Sequence, residues 1–93
     1  MNYYVYMLGN YSKSKFITYV GYTNNLKKRL KLHNIGKGAK FTRGRKWKMI
    51  YKEKYPTKRE AINRENYLKK NRKIRNSLKQ NFYEKKNSNS FTI

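Results

Sequence analysis

The 93-residue sequence has no cysteine and no aspartate, one histidine, one proline, one tryptophan and only four acidic residues, all glutamate. Each scarcity removes chemistry. Without cysteine there is no disulfide, no thiolate zinc site and no thiol nucleophile, and a cytoplasmic location is expected. With His33 alone and no aspartate, two-histidine metal centres, Ser-His-Asp triads and nucleases built on clustered aspartates are excluded. No apolar run approaches the roughly 20 residues that span a bilayer. The start, Met1-Asn2-Tyr3-Tyr4, lacks the basic-then-apolar order of a signal peptide. No membrane partner is therefore expected. The length allows one small domain and is too short for two with separate cores.

Positive charge and aromatic side chains dominate what is present. Lys and Arg number 25, and the formal net charge is +21. Such a surface attracts polyanions, so DNA is the leading partner, with RNA as a second choice. An A/T-rich codon bias would enrich Lys, Asn, Ile and Tyr together, yet it does little to exclude Glu or Asp. The imbalance of charge therefore calls for a polyanionic partner.

Tyr3 to Leu8 and Phe16 to Tyr22 are β-prone and flank the turn-rich stretch from Gly9 to Lys15, which reads as a hairpin. If Tyr6 and Tyr19 face one another across it, both rings leave the same face of the sheet. A slip of one residue would separate them. Thr23, Asn24 or Asn25 can cap a helix from about Leu26 to His33 or Asn34, ended by Ile35-Gly36. Helical spacing puts Leu26, Leu30 and His33 on one stripe with Arg29 at its edge, and turns Lys27, Lys28 and Lys31 away. A basic, glycine-rich loop runs from Gly36 to Arg45, and Trp47 to Tyr51 reads as a third strand. Pro56 to Glu60 opens a second helix in which Thr57 and Glu60 have capping-box spacing. Beyond Asn71, the pattern Ile74, Leu78, Phe82 predicts a further basic helix. Residues 1–84 are expected to form the domain, and residues 85–93 a polar, disordered tail.

Glu65 is the sharpest candidate for chemistry. It falls in the apolar arc of Ala61, Ile62 and Leu68, where a carboxylate must be paired or must hold a cation. A buried ion pair with Arg29 or a lysine is the structural alternative. Mg²⁺ keeps several waters and takes substrate phosphate oxygens, so one carboxylate is a sufficient protein ligand. The guanidinium of Arg29 suits a phosphate in its transition state. His33 has an ordinary pKa near 6.5 and can relay a proton, although a lone histidine on an apolar face is usually a packing residue. Tyrosine is a poor base at its usual pKa of about 10, but neighbouring cations favour the phenolate and are expected to lower it. Gly21 marks either a close backbone approach or a strand end. Lys37, Lys40, Arg43 and Arg45 read as phosphate-backbone contacts, with Phe41 and Trp47 as stacking surfaces or, equally, a loop residue and a core residue.

In order, Tyr4-Val5-Tyr6, Tyr19-Val20-Gly21, Arg29, His33, the stretch Gly38 to Arg45 and Glu65 resemble a GIY-YIG endonuclease domain over roughly residues 2–75. The likeness is to small stand-alone bacterial members and to the catalytic domain of the eukaryotic structure-specific endonuclease subunit that cuts branched DNA. It implies an α/β fold of the α+β kind, a three-stranded antiparallel sheet flanked by helices in the order β-β-α-β-α-α. It also implies Tyr6 and Tyr19 as the motif tyrosines and Gly21 as the motif glycine. Tyr19 would orient or deprotonate the attacking water, Arg29 would stabilise the phosphate, His33 would assist proton transfer, and Glu65 would ligate a divalent metal, Mg²⁺ or Mn²⁺. Tyr4-Val5-Tyr6 replaces Gly-Ile-Tyr but keeps the final tyrosine. Some members use a later asparagine, for which Asn71 is the nearest position. The cysteine-rich partner-binding module of the branched-DNA enzyme has no counterpart here. The expectation is a monomeric, metal-dependent DNA endonuclease of weak sequence preference and some selectivity for DNA structure, acting in repair or recombination. The alternative is a non-catalytic nucleic-acid-binding module or accessory subunit on the same fold.

Overall fold

The structure, a computed structural model, describes residues 1–12 and 14–91, with side chains described through residue 85 apart from Ser12. Its elements are β1 (Tyr3–Ser12), β2 (Lys15–Thr23), α1 (Leu26–Asn34), β3 (Lys48–Tyr55), α2 (Lys58–Lys70) and α3 (Arg72–Phe91). The three strands form one antiparallel sheet in the order β2-β1-β3, so the expected α+β architecture and element order are present.

The alternation of β1 explains the layers. Val5 and Met7 point to one face and join Val20, Ala61 and Leu68 beneath α2 and α3; Tyr6 and Leu8 point to the other and join Trp47, Leu26 and Leu30 beneath α1. Two thin cores result, one on each side of a central strand whose residues 5 to 8 are fully buried. β1 has a neighbour on either side, whereas β2 and β3 each keep a free edge.

The hairpin is longer and tighter than the turn-rich segment suggests. Pairing continues through Tyr11↔Phe16 to Ser12↔Lys15, and Ser14 takes the left-handed backbone near the tip, φ 63°. Gly9 serves packing there rather than turning, because a Cβ at that position would lie 2.6 Å from Cζ of Phe16. The same register corrects the direct Tyr6–Tyr19 pairing. Tyr6 opposes Gly21 and Leu8 opposes Tyr19, so the two phenols share a face on a diagonal.

β3 begins at Lys48, one residue after the expected start at Trp47, and extends past Tyr51 to Tyr55 through Lys52, Glu53 and Lys54. The charged stretch remains a strand because Tyr51, Glu53 and Tyr55 turn inward and Glu53 finds Arg64 on α2. Asn25 caps α1 by accepting from the Lys28 N–H at 3.1 Å, and Thr57 caps α2 by accepting from the Glu60 N–H at 3.3 Å. Asn71 separates α2 from α3 and caps the latter through the Ile74 N–H at 3.3 Å. The boundary expected at Lys85 is not an element boundary. α3 continues to Phe91, since nothing from Lys85 to Phe91 is a glycine or proline that would stop it; Thr92 and Ile93, the end of the expected tail, lie outside the described residues. Among the described residues no helix is long and apolar enough to cross a membrane.

Candidate active site

The site is built where the α1 layer meets the open side of the hairpin. β1 presents Tyr6, β2 presents Tyr19 and Gly21, and α1 presents Arg29 and His33 one turn apart. Tyr6 and His33 are essentially inaccessible to solvent. The Tyr6 hydroxyl lies 2.7 Å from His33 Nε2, and Arg29 donates from Nε to the same hydroxyl at 3.4 Å. On the far side of the imidazole, Nδ1 lies 2.9 Å from Thr42 Oγ1, which donates to the Ala39 carbonyl at 3.0 Å and accepts the Ala39 N–H at 3.2 Å.

Counting donors assigns the protons. The Thr42 hydroxyl hydrogen goes to Ala39, so Thr42 must accept from His33, and Nδ1 carries the imidazole hydrogen. Tyr6 receives the Arg29 N–H and therefore gives its own hydrogen to the free lone pair on Nε2. The chain runs Arg29 to Tyr6 to His33 to Thr42 to the Ala39 carbonyl, with every member satisfied. Arg29 also donates from Nη2 to the Gly38 carbonyl at 3.3 Å, which ties the basic loop to α1.

Burial governs the titration of both groups. It pushes the Tyr6 phenol up to about 12, and it outweighs the nearby Arg29, whose hydrogen bond and charge act the other way; the charges of Tyr19 and Glu65 push further in the same direction. The expectation that cations lower the pKa of this tyrosine is thus corrected for Tyr6. Burial, aided by the Arg29 charge, also holds His33 below its ordinary range. At neutral pH Tyr6 is a protonated donor and His33 a neutral acceptor.

Two glycines make the packing possible. A Cβ on Gly21 would lie 2.5 Å from the Tyr6 hydroxyl and 3.2 Å from Cε2 of Tyr19, so the close approach read at Gly21 is to the protein's own phenols. A Cβ on Gly38 would lie 2.7 Å from Cγ of His33. Gly38 and Thr42 belong to the site, and nothing periodic in the loop sequence singles them out. Their trace in the sequence is the motif stretch from Gly38 to Arg45, which contains both without giving either a role.

Tyr19 packs in the α1 layer with Tyr6, Leu8 and Trp47. Its ring centroid is 5.1 Å from that of His33 and 6.1 Å from that of Phe41, the latter nearly parallel at 20°. Phe41 is 53% exposed, and the Arg45 guanidinium sits 5.6 Å from its ring centroid. Trp47, by contrast, is buried and donates from Nε1 to the Thr42 carbonyl at 2.9 Å, so it supports the loop and offers no stacking surface. Lys37, Lys40 and Arg43 are exposed and Arg45 is half-buried, all four on the loop that Thr42 pins against His33. Arg29 also opens on a cleft of about 410 Å³, lined by Tyr3, Tyr22, Thr23, Asn24 and Lys58.

Glu65 comes from the opposite layer. It is only 13% exposed, its Oε2 lies 3.5 Å from Nζ of Lys69, and its charge acts on the Tyr6 phenol. The other glutamates are committed or remote: Glu53 is held by Arg64, Glu60 accepts from the Thr57 hydroxyl in the α2 cap, and Glu84 is exposed on α3. Among the described residues no three His, Cys, Asp or Glu side chains converge. One hard carboxylate oxygen fits Mg²⁺ or Mn²⁺, which keep water and phosphate ligands. It does not fit a metal needing an all-protein cage. Asn71 spends its side chain on the α3 cap.

The chain, a three-stranded sheet with two phenols, a guanidinium and an imidazole gathered on one face, belongs to the GIY-YIG family. The GIY-YIG catalytic domain model matches residues 2–81. The chain is 48% identical over 90 residues to the UPF0213 protein CPE1444 of Clostridium perfringens, spanning 88% of this chain and 94% of that protein. It is 55% identical over 53 residues to the UPF0213 protein YazA of Bacillus subtilis, a match covering 56% of this chain and 54% of the relative. The solution NMR structure of the UPF0213 protein BH0048 from Bacillus halodurans is 36% identical, covering 83% of this chain and 80% of that one at a TM-score of 0.46. Nuclease-type activity goes with a GIY-YIG domain.

Proposed function

We propose that this protein is a divalent-metal-dependent DNA endonuclease of weak sequence preference, working in the cytoplasm in repair or recombination, with selectivity for DNA structure. Hydrolysis adds water across a P–O bond, so a site must accept a proton, brace the charge that grows at phosphorus and steady the leaving oxygen. The observation that carries the reading is the buried Tyr6–His33 hydrogen bond of 2.7 Å with Arg29 on the same hydroxyl.

In this mechanism Tyr19, whose hydroxyl has no hydrogen-bond partner among the described residues, orients the attacking water. Tyr19 takes the water proton as its own hydroxyl hydrogen passes to solvent, and the leaving oxygen gains a proton from solvent. The buried Tyr6–His33 pair is closed to that water and assists from behind, its hydrogen bond holding the Tyr6 hydroxyl where Arg29 donates to it. Arg29 keeps donor capacity beyond its bonds to Tyr6 and Gly38 and braces the phosphate. Glu65 is the residue that would hold the divalent ion, which supplies charge stabilisation at the leaving oxygen when bound. Lys37, Lys40, Arg43 and Arg45 hold the DNA backbone.

One observation favours the alternative of a non-catalytic binding module, namely the Glu65–Lys69 ion pair. The two readings part on Glu65→Ala. The variant is expected to lose nicking of supercoiled plasmid in Mg²⁺ or Mn²⁺ by at least about 100-fold, while its DNA affinity in metal-free buffer stays within about twofold of the parent. A parallel fall in binding would make Glu65 structural, and a wild-type protein that never nicks would leave the binding module standing.

A further inference from the structure

Lys69 stands in two neighbourhoods at once. On α2 it is four residues beyond Glu65, 3.5 Å from its carboxylate and 48% exposed, a separation longer than a good hydrogen bond. Its ammonium is also 6.0 Å from the centroid of the Tyr19 ring, which belongs to the opposite layer and is reached past the free edge of β2. There Lys69 and Arg75 line one shallow, open depression of about 270 Å³ together with Thr18, Tyr19, Val20 and Phe41. Arg75 is anchored by Nη1 alone, which donates to the Leu68 carbonyl at 2.7 Å and the Lys69 carbonyl at 2.5 Å. Its remaining N–H groups have no described partner.

We propose that Lys69 and Arg75 form a phosphate subsite beside Tyr19 for the backbone of a nucleic-acid strand, and that Lys69 couples filling of this subsite to divalent-cation binding at Glu65. The chemistry is that of a bare anion: an anchored guanidinium and a mobile ammonium at one helix corner, with an exposed Phe41 ring and a threonine completing the wall, and no carboxylate among the lining residues. Without substrate, Lys69 neutralises Glu65 and opposes the approach of a second cation. A phosphate between Lys69 and Arg75 draws the ammonium off the carboxylate, and Glu65 then meets the metal unpaired. By linkage the reverse holds as well: a cation at Glu65 frees Lys69 for phosphate. The coupling half rests on the reading of Glu65 as a cation ligand, whereas the subsite half does not.

The test uses Lys69→Gln, with Lys70→Gln as a control that removes the same charge one residue away. Titration of Mn²⁺ alone into the free protein should show about 2- to 5-fold tighter binding in Lys69→Gln and no change in Lys70→Gln. In metal-free buffer, the affinity of Lys69→Gln for a labelled DNA duplex should depend on salt with a slope shallower by about one. Unchanged or weaker Mn²⁺ binding in Lys69→Gln overturns the coupling, and an unchanged salt slope overturns the subsite. A parent protein that binds no Mn²⁺ while Lys69→Gln still flattens the slope sinks the metal reading of Glu65 and the coupling, and supports the subsite.

Discussion

At the scale of single residues, the site depends on a histidine kept neutral at the centre of the molecule. His33 is fully buried between Tyr6 and Thr42, with Tyr19 and Arg29 also facing it, and its pKa in the folded chain lies below the ordinary 6.5. The unfolded chain therefore binds more protons than the folded one between the depressed value and about 6.5. Stability should fall as pH drops through that window, by at most about 1.4 kcal/mol per pH unit, and level off below it. Urea unfolding of the parent and of His33→Gln at pH 7.5, 6.5 and 5.5 measures this (pH values roughly spanning the window). A flatter profile is expected for the variant, and equal slopes would assign the loss to other groups. His33 and Arg29 were legible because helical spacing puts both on the inner side of a short, well-capped helix. Thr42 and Gly38 showed only as members of the motif stretch from Gly38 to Arg45; their contacts with His33 did not show, since they arise when the loop folds back over α1 and carry no local period.

At the scale of elements, the pairing of β3 with α2 shows how a charged sequence can still be a strand. Glu53 faces the core beneath α2, where the Arg64 fork grips it at 2.9 and 3.0 Å and Tyr51 and Tyr55 donate their hydroxyls to it. Burial alone would raise the Glu53 pKa, but Arg64 and the two phenols together hold it below the ordinary carboxylate value. The shared carboxylate, after burial itself, is what drives Tyr55 up to about 12. With a depressed folded pKa, the contribution is present above the usual carboxylate range and is lost as pH falls through the folded value. Arg64 remains about a third exposed, so solvent screens part of the pair. Glu53→Gln should lower stability by about 1–3 kcal/mol at neutral pH, read by chemical denaturation. The difference from the parent should shrink below about pH 4. An equally stable variant would show the network to be dispensable. The strand's first half was visible as Met49-Ile50-Tyr51; its second half was hidden because Lys52-Glu53-Lys54 has the alternation of a strand but not its composition.

At the scale of the whole molecule, a net charge of +21 rests on a body held together by two small cores. Such a surface binds polyanions by releasing their counterions. If about six phosphates are neutralised, affinity for DNA should fall roughly 1,000-fold between about 50 and 200 mM salt. Fluorescence anisotropy across that range checks it, and a flat response would remove the electrostatic basis of binding. Element order, helix number and the grouping of Tyr6, Tyr19, Arg29 and His33 could be anticipated because each rests on periodicity or on an ordered motif; the strand order β2-β1-β3 came only with the structure. The depth of burial at Tyr6 could not. A sequence shows that cations are near a phenol, but only the packed layers show that exclusion of solvent outweighs them.

The junction of α2 and α3 is a single residue, Asn71, and the guanidinium of Arg75 bridges it by gripping the last carbonyls of the preceding helix. The corner between the two helices is thus fastened by a side chain whose remaining N–H groups have no partner among the described residues, so the pin of the hinge and the hand offered to an anion are one and the same residue.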